Sequence, residues 1–278
     1  MTMQFENRNF DLSSRTHIMG VLNVTPDSFS DGGKFFRFDD AVKQGMRMVE
    51  EGADIIDVGG ESTRPGSDPL PIEEELSRVI PVVKSLSSKT DLPISIDTYK
   101  AEVAKRALDA GAQMINDISA LRFDPEMKAV ASESKVPVAL MHVKGTPKEM
   151  QKDPSYDDVI AEITDYLRQS IQMAEDAEIA RERIIVDPGI GFGKRVQDNL
   201  NILKNLKEFS ILGCPILIGC SRKSFIGRIL DLPAEERLEG SLAALAVAVL
   251  NGANIVRVHD VRESRRVVGL IDAIRRVE

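Results

Sequence analysis

The 278 residues are 42% hydrophobic with a formal net charge of -8, no tryptophan and three tyrosines, so the chain can bury a large core and lacks the basic, aromatic surface that nucleic acid requires. Its longest apolar run, LAALAVAVL, is too short to cross a bilayer, and the first residues lack a basic start followed by an apolar block, so a soluble cytoplasmic protein without a membrane partner is expected. The two cysteines, Cys214 and Cys220, sit in one apolar run and read as reduced core thiols.

In chain order, short apolar runs ended by turn or polar residues recur eight times: IMGVLNV, ADIIDVGG, PISID, AQMINDIS, VPVALMH, RIIVDPG, CPILIGC and NIVRVH. Between most of them lie segments of helical period, over 39–52, 72–87, 101–111, 157–177 and 239–252, several closed by glycine. Runs apolar on both faces read as buried strands, and the intervening helices supply the crossovers that parallel pairing needs. The expected fold is a single (β/α)8 TIM barrel in the α/β class, one domain over 1–278 with the barrel from about residue 17, and no linker or composition break to mark a second domain.

A barrel places its chemistry at the carboxyl ends of the strands. Those ends carry Asn23, Asp57 with Glu61 beyond it, Asp97, Asn116 with Asp117, His142, Asp187, the group Arg222, Lys223 and Ser224, and Arg257 with His259. Asp97 and Asp187 each end an apolar strand, and either could equally cap the turn that follows. Beside Asn116 they form a set able to read the donor edge of a flat heterocycle, because one carboxylate accepts two adjacent N–H groups. Lys223 and Arg257, on the seventh and eighth loops, fall where barrels often bind phosphate. Alternation turns Arg257 and His259 to the same side of their strand. Two histidines are too few for most zinc sites; a hard cation such as magnesium, held by an amide oxygen, carboxylates and substrate phosphates, fits better.

Two long polar loops on the same face, one with Phe29 and Asp31 and one with Thr63, Arg64 and Pro65, read as lids that exclude water. The stretch DPGIGFGK misses both glycine-rich phosphate-binding spacings and reads as a flexible loop carrying Phe192. The small apolar residues around LAALAVAVL make that helix either deeply packed or a subunit interface, the second being favoured.

NVTPDSFSDGG, ESTRPGS, SIDT, INDIS, LMH with KGTP after it, DPGIGFGK, SRKSFIG and RVHD, in order from His17 to Asp260, together closely resemble the dihydropteroate synthase family. The resemblance implies condensation of 6-hydroxymethyl-7,8-dihydropterin pyrophosphate with 4-aminobenzoate to give 7,8-dihydropteroate and pyrophosphate, with bound Mg2+, inhibition by sulfonamides, and a homodimer. It further implies that Asp97, Asn116, Asp187 and Lys223 hold the pterin, with Met141 and Arg257 packed against it. Asn23, Arg257 and His259 would bind the pyrophosphate and its magnesium. Phe29, Thr63, Arg64, Pro65, Phe192 and Ser224 would form or close the aminobenzoate site, and Asp31 would help the first loop order over the reaction centre. Two rivals are a methyltetrahydrofolate-corrinoid methyltransferase of the related barrels, which lacks the long first loop and the SRKSFIG corner, and a catalytically silent pterin-binding paralogue.

Overall fold

Residues 1–6, 8–25, 34–63 and 66–277 are described by a computed structural model. The chain opens with an antiparallel hairpin, β1 (Thr2–Gln4) and β2 (Asn9–Asp11), in which Met3 faces Phe10. The eight apolar runs then supply eight parallel strands: β3 (His17–Asn23), β4 (Ile55–Gly59), β5 (Ile94–Asp97), β6 (Met114–Asp117), β7 (Val138–Met141), β8 (Ile184–Asp187), β9 (Leu217–Ile218) and β10 (Ile255–Val258). Their order in the sheet is β8-β7-β6-β5-β4-β3-β10-β9, and a parallel bridge between Val186 and Ile216, with Val186 N–H donating to Pro215 O at 2.9 Å, joins the two outer strands into a barrel.

Around the barrel run α1 (Lys34–Glu51), α2 (Ile72–Ser87), α3 (Ala101–Asp109), α4 (Met127–Ser134), α5 (Val159–Asp176), α6 (Val196–Lys204), α7 (Ser224–Leu230), α8 (Leu238–Leu250) and α9 (Val261–Arg275). The five segments of helical period are all helical here. The periodicity did not mark α4, α6, α7 or α9. Two of these, α4 and α7, are short and stop at Lys135 and Asp231, left-handed residues with φ of 56° each, so the glycine that usually advertises a helix end is missing.

Alternation along each strand sorts the side chains. Ile18, Leu22, Ile56, Val58, Ile94, Ile96, Ile115, Val138, Leu140, Ile184 and Val186 belong to the large core beneath the helices. The alternate residues, Met19, Ile55, Met114, Ala139, Ile185, Leu217 and Ile255, form a separate apolar cluster with Met3, Phe5, Phe10 and Leu12. The hairpin thus plugs the amino-terminal end of the barrel, a role the sequence reading did not give it. Two residues further along, the same inward faces turn polar at Asp57, Asn116, Asp187 and Arg257, so the interior is greasy at the bottom and charged at the top.

The strand starts carry charge as well. Asp54 accepts two hydrogen bonds from Arg15 (2.9 and 2.7 Å) and one from Ile18 N (2.8 Å), and also pairs with Arg265 on α9. Thr16 N donates to Asp272 at 2.9 Å. These bonds fasten the last helix and the chain entering β3 across the base, which is scaffold work. Both cysteines are buried and unbridged, as expected. Among the described residues no helix is long and apolar enough to cross a membrane.

Candidate active site

Strand register sets the site. Gly59 of β4 faces Asp97 of β5, Asp97 faces Asn116 of β6, and Met141 of β7 faces Asp187 of β8, so the polar residues stand in one tier around the rim. With Thr63, Ile118, Ile190, Phe192, Gly219, Lys223 and Arg257, the residues Asp97, Asn116, Met141 and Asp187 line one pocket at this end of the barrel.

Arg257 organises its floor. Its Nε donates to Asp57 Oδ2 at 2.6 Å and its Nη2 donates to Asp97 Oδ2, while Asn116 Nδ2 donates to the same Asp57 oxygen at 3.1 Å. One guanidinium therefore bridges two carboxylates, and burial raises the Asp97 carboxyl to about 7, against the pull of Arg257 and with the help of the neighbouring Asp57 and Glu75 charges. A buried charge is tolerated only when paired, so Asp57 is the fixed counter-ion that lets Arg257 reach into the pocket. The sequence reading placed Asp57 at a strand end without giving it this role.

Asp187 sits opposite. Burial raises it to about 6, opposed by the Gly189 N–H, which donates to Oδ1 at 2.7 Å, and by Lys223 and Lys194. That bond makes Asp187 the pivot of a tight turn. Gly189 has a φ of +72°, and a Cβ there would lie 2.0 Å from the His142 carbonyl oxygen, so only glycine lets the chain pass β7 this closely. The segment after it is no flexible loop, which corrects the sequence reading: Ile190, Phe192 and Lys194 are all buried, and Phe192 N donates back to Gly189 O at 3.1 Å. Phe192 packs with Ile118, Met141, Val143 and Met150 in a small cluster of its own.

Lys223 reaches in from the start of α7, its ammonium 4.2 Å from the centre of the Phe192 ring. Burial and Arg257 lower it to about 8. Arg222, before it, takes a left-handed φ of 55° and is held there: its N–H donates to Ser241 Oγ (2.8 Å), its carbonyl accepts from Arg237, and its Nε donates to Asp260 (3.0 Å). The strained backbone turns the chain so that Lys223 points inward. His259 lies beyond β10, its Nδ1 3.0 Å from Ser221 Oγ; burial and the Arg257 charge lower it to about 4, so it is neutral near pH 7.

The rim is thus not uniformly functional. Asp117 accepts from Ser119 N, Ser119 Oγ and Leu121 N and caps its own turn. His142 turns away from the pocket to meet Lys194 Nζ at 2.8 Å, and Arg222 is tied to Asp260. Asn23 closes β3 at the rim, half-buried, and Ser224 is the exposed first residue of α7, outside the pocket lining. Phe29, Asp31, Arg64 and Pro65 lie outside the described residues. Lys194, Tyr99 and Lys100 are buried or half-buried polar residues around the site that sequence reasoning missed. Tyr99 and Lys100 follow a strand-end aspartate, and Lys194 closes the DPGIGFGK stretch.

The family described as "Pterin binding enzyme" matches residues 19–259. A dihydropteroate synthase of Synechocystis sp. is 48% identical over 266 residues, covering 95% of this chain and 92% of that protein. The crystal structure of the Yersinia pestis dihydropteroate synthase with a sulfonamide drug complex superimposes with a TM-score of 0.95 at 42% identity, covering 100% of both chains. The Xanthomonas albilineans enzyme in complex with 7,8-dihydropteroate does so with a TM-score of 0.91, also at 42% identity and 100% of both chains. A tier of carboxylate, amide and cation at the mouth of a TIM barrel, carried by a sequence this close over its whole length, places the chain in the dihydropteroate synthase family of pterin-binding enzymes.

Proposed function

We propose that the chain condenses 6-hydroxymethyl-7,8-dihydropterin pyrophosphate with 4-aminobenzoate, releasing pyrophosphate and forming 7,8-dihydropteroate. The observation that carries this reading is the convergence of Asp97, Asn116, Asp187, Lys223 and Arg257 on one pocket, in a chain of this family. Two carboxylates and an amide match the N–H-rich edge of a pterin, and Met141 with the Arg257 guanidinium gives its flat faces something to pack against. Buried groups of this kind reject analogues that leave them unpaired.

In the reaction, the bond from the pterin methylene to the pyrophosphate oxygen breaks and leaves a cation spread into the ring. The neutral arylamine nitrogen then attacks that carbon and afterwards sheds a proton. No strong base is needed. Asp97 and Asp187 place negative charge beside the cationic ring, while Arg257 and His259 receive the departing anion. Lys223, between Asp187 and the Phe192 ring, fixes the pterin's orientation. The Thr63 side of the pocket and Phe192 receive the aminobenzoate; the family resemblance assigns Ser224, Phe29, Arg64 and Pro65 to the same substrate and Asp31 to ordering the first loop.

Mg2+ belongs with the pyrophosphate. The Asn23 amide oxygen, at the carboxyl end of β3, would hold the ion together with substrate oxygens. When bound, it neutralises charge on the leaving group. Sulfonamides, which the Yersinia pestis relative binds, compete for the aminobenzoate side. A homodimer is supported by exposed Val247 and Leu250 on α8 and Leu270 and Ile274 on α9, and sedimentation reads it directly. The direct test is to mix the protein with both substrates, with and without magnesium. One dihydropteroate should appear per pyrophosphate released, and only with the metal; pterin binding without any product would leave a silent paralogue instead.

A further inference from the structure

Behind Asp97, at the turn from β5 into α3, lies a second cluster of charges that the reaction does not touch. Lys100 Nζ donates to Glu75 Oε2 of α2 at 2.5 Å, to the carbonyl of Leu70 at 2.6 Å and to Glu61 Oε2. Glu61 also accepts from Tyr99 Oη at 2.6 Å and from Leu70 N at 3.0 Å. The Glu75 and Glu61 side chains are buried, and that of Lys100 is nearly so.

One ammonium thus neutralises two carboxylates and, through Leu70, grips the far end of the loop that leaves β4. Glu61 at the start of that loop and Leu70 at its end are bonded to each other and to the same lysine, so Lys100 closes the loop into a ring anchored on the β5 turn. Within the ring stands Thr63, which lines the pocket. The loop's tip meets the segment after β7, where Gly66 N donates to Pro147 O at 3.0 Å and Lys148 pairs with Asp68 at 2.7 Å; the second contact is exposed and contributes little. The buried charges lie at the loop's foot, next to Thr63.

We propose that Lys100, with Glu61 and Glu75, is a positioning residue for aminobenzoate: it fixes the foot of the 61–70 loop and hence the Thr63 wall of the pocket, without contacting substrate. This rests on the reading that the Thr63 side receives aminobenzoate. Without the ammonium, Glu61 and Glu75 face each other as two carboxylates with no cation between them, and the loop foot opens.

The test is steady-state kinetics on Lys100→Met, Lys100→Met/Glu75→Gln and Tyr99→Phe beside the wild-type protein. Lys100→Met should raise the KM for 4-aminobenzoate at least tenfold and leave the KM for the pterin pyrophosphate within twofold. Adding Glu75→Gln, which removes one of the opposed charges, should recover most of that loss. Tyr99→Phe removes a single bond to Glu61 and should raise the aminobenzoate KM about threefold, which keeps the idea testable if Lys100→Met does not fold. Equal changes in both KM values, no change in the Tyr99 variant, or a double variant as poor as the single one would each overturn the inference. A wild-type protein without turnover would instead overturn the assigned reaction.

Discussion

Replacing Asp187 with asparagine should make the protein more stable and less able to bind its pterin. The carboxyl titrates near 6 in the folded chain against an ordinary 3.8 because it is buried. A carboxyl raised on folding contributes stability below its unfolded value and withdraws it as pH climbs through the folded one, so ionised Asp187 weakens the fold above pH 6. The gap between those values corresponds to ~3 kcal/mol. Asparagine keeps the oxygen that accepts from Gly189 N, so the turn should survive. The attraction of Lys223 and Lys194 is already contained in that gap, but the buried amide N–H2 of the asparagine, next to Lys223 and without an acceptor, trims the gain at pH 8 to about 1–2 kcal/mol. Thermal unfolding should then shift upward by roughly 3–6 °C at pH 8 and by about half that at pH 5. Over the same comparison, calorimetry should show pterin affinity reduced by about 2–4 kcal/mol, as for a charged hydrogen-bond partner lost. A variant that melts no higher than wild type at pH 8, or whose shift is the same at both pH values, would refute the argument that burial holds this carboxylate under strain.

Gly189→Ala should cost more than ~2 kcal/mol, because the new methyl would collide with the His142 carbonyl at a left-handed φ; circular-dichroism melts and pterin titration should fall together, and a variant of wild-type stability would contradict the close passage. Lys194, lowered to about 7 by burial, is neutral when folded and charged when unfolded between about pH 7 and its ordinary 10.5, so the wild-type fold gains stability as pH rises through that window. Lys194→Met should lack that rise in denaturant titrations, and an unchanged pH slope would show that the lysine is not held in a dry site.

The sequence made the barrel legible because eight apolar runs of similar length alternate with helical periods, and strand alternation then forces Asp97, Asn116, Asp187 and Arg257 onto one rim. The rest depended on contacts between distant segments that no local pattern encodes. Asp57 and Glu61 looked like site residues, yet one is the counter-ion of Arg257, 200 positions away, and the other ties down a loop through Lys100, 39 positions away. His142 stood at a strand end like the others, but its side chain turns toward Lys194. The plugging hairpin was hidden because Met3, Phe5, Phe10 and Leu12 alternate over strands of only three residues, too short to read as sheet.

The position of a bound pterin tests the barrel-mouth site most directly. Crystals of the protein soaked with a dihydropterin should show the ring in the barrel mouth, its N–H edge on Asp187 and Asn116, Lys223 beside it and the Arg257 guanidinium along one face. A ring lodged elsewhere, or one in the mouth whose N–H edge faces away from both Asp97 and Asp187, would contradict the claim that this tier of carboxylates reads the substrate.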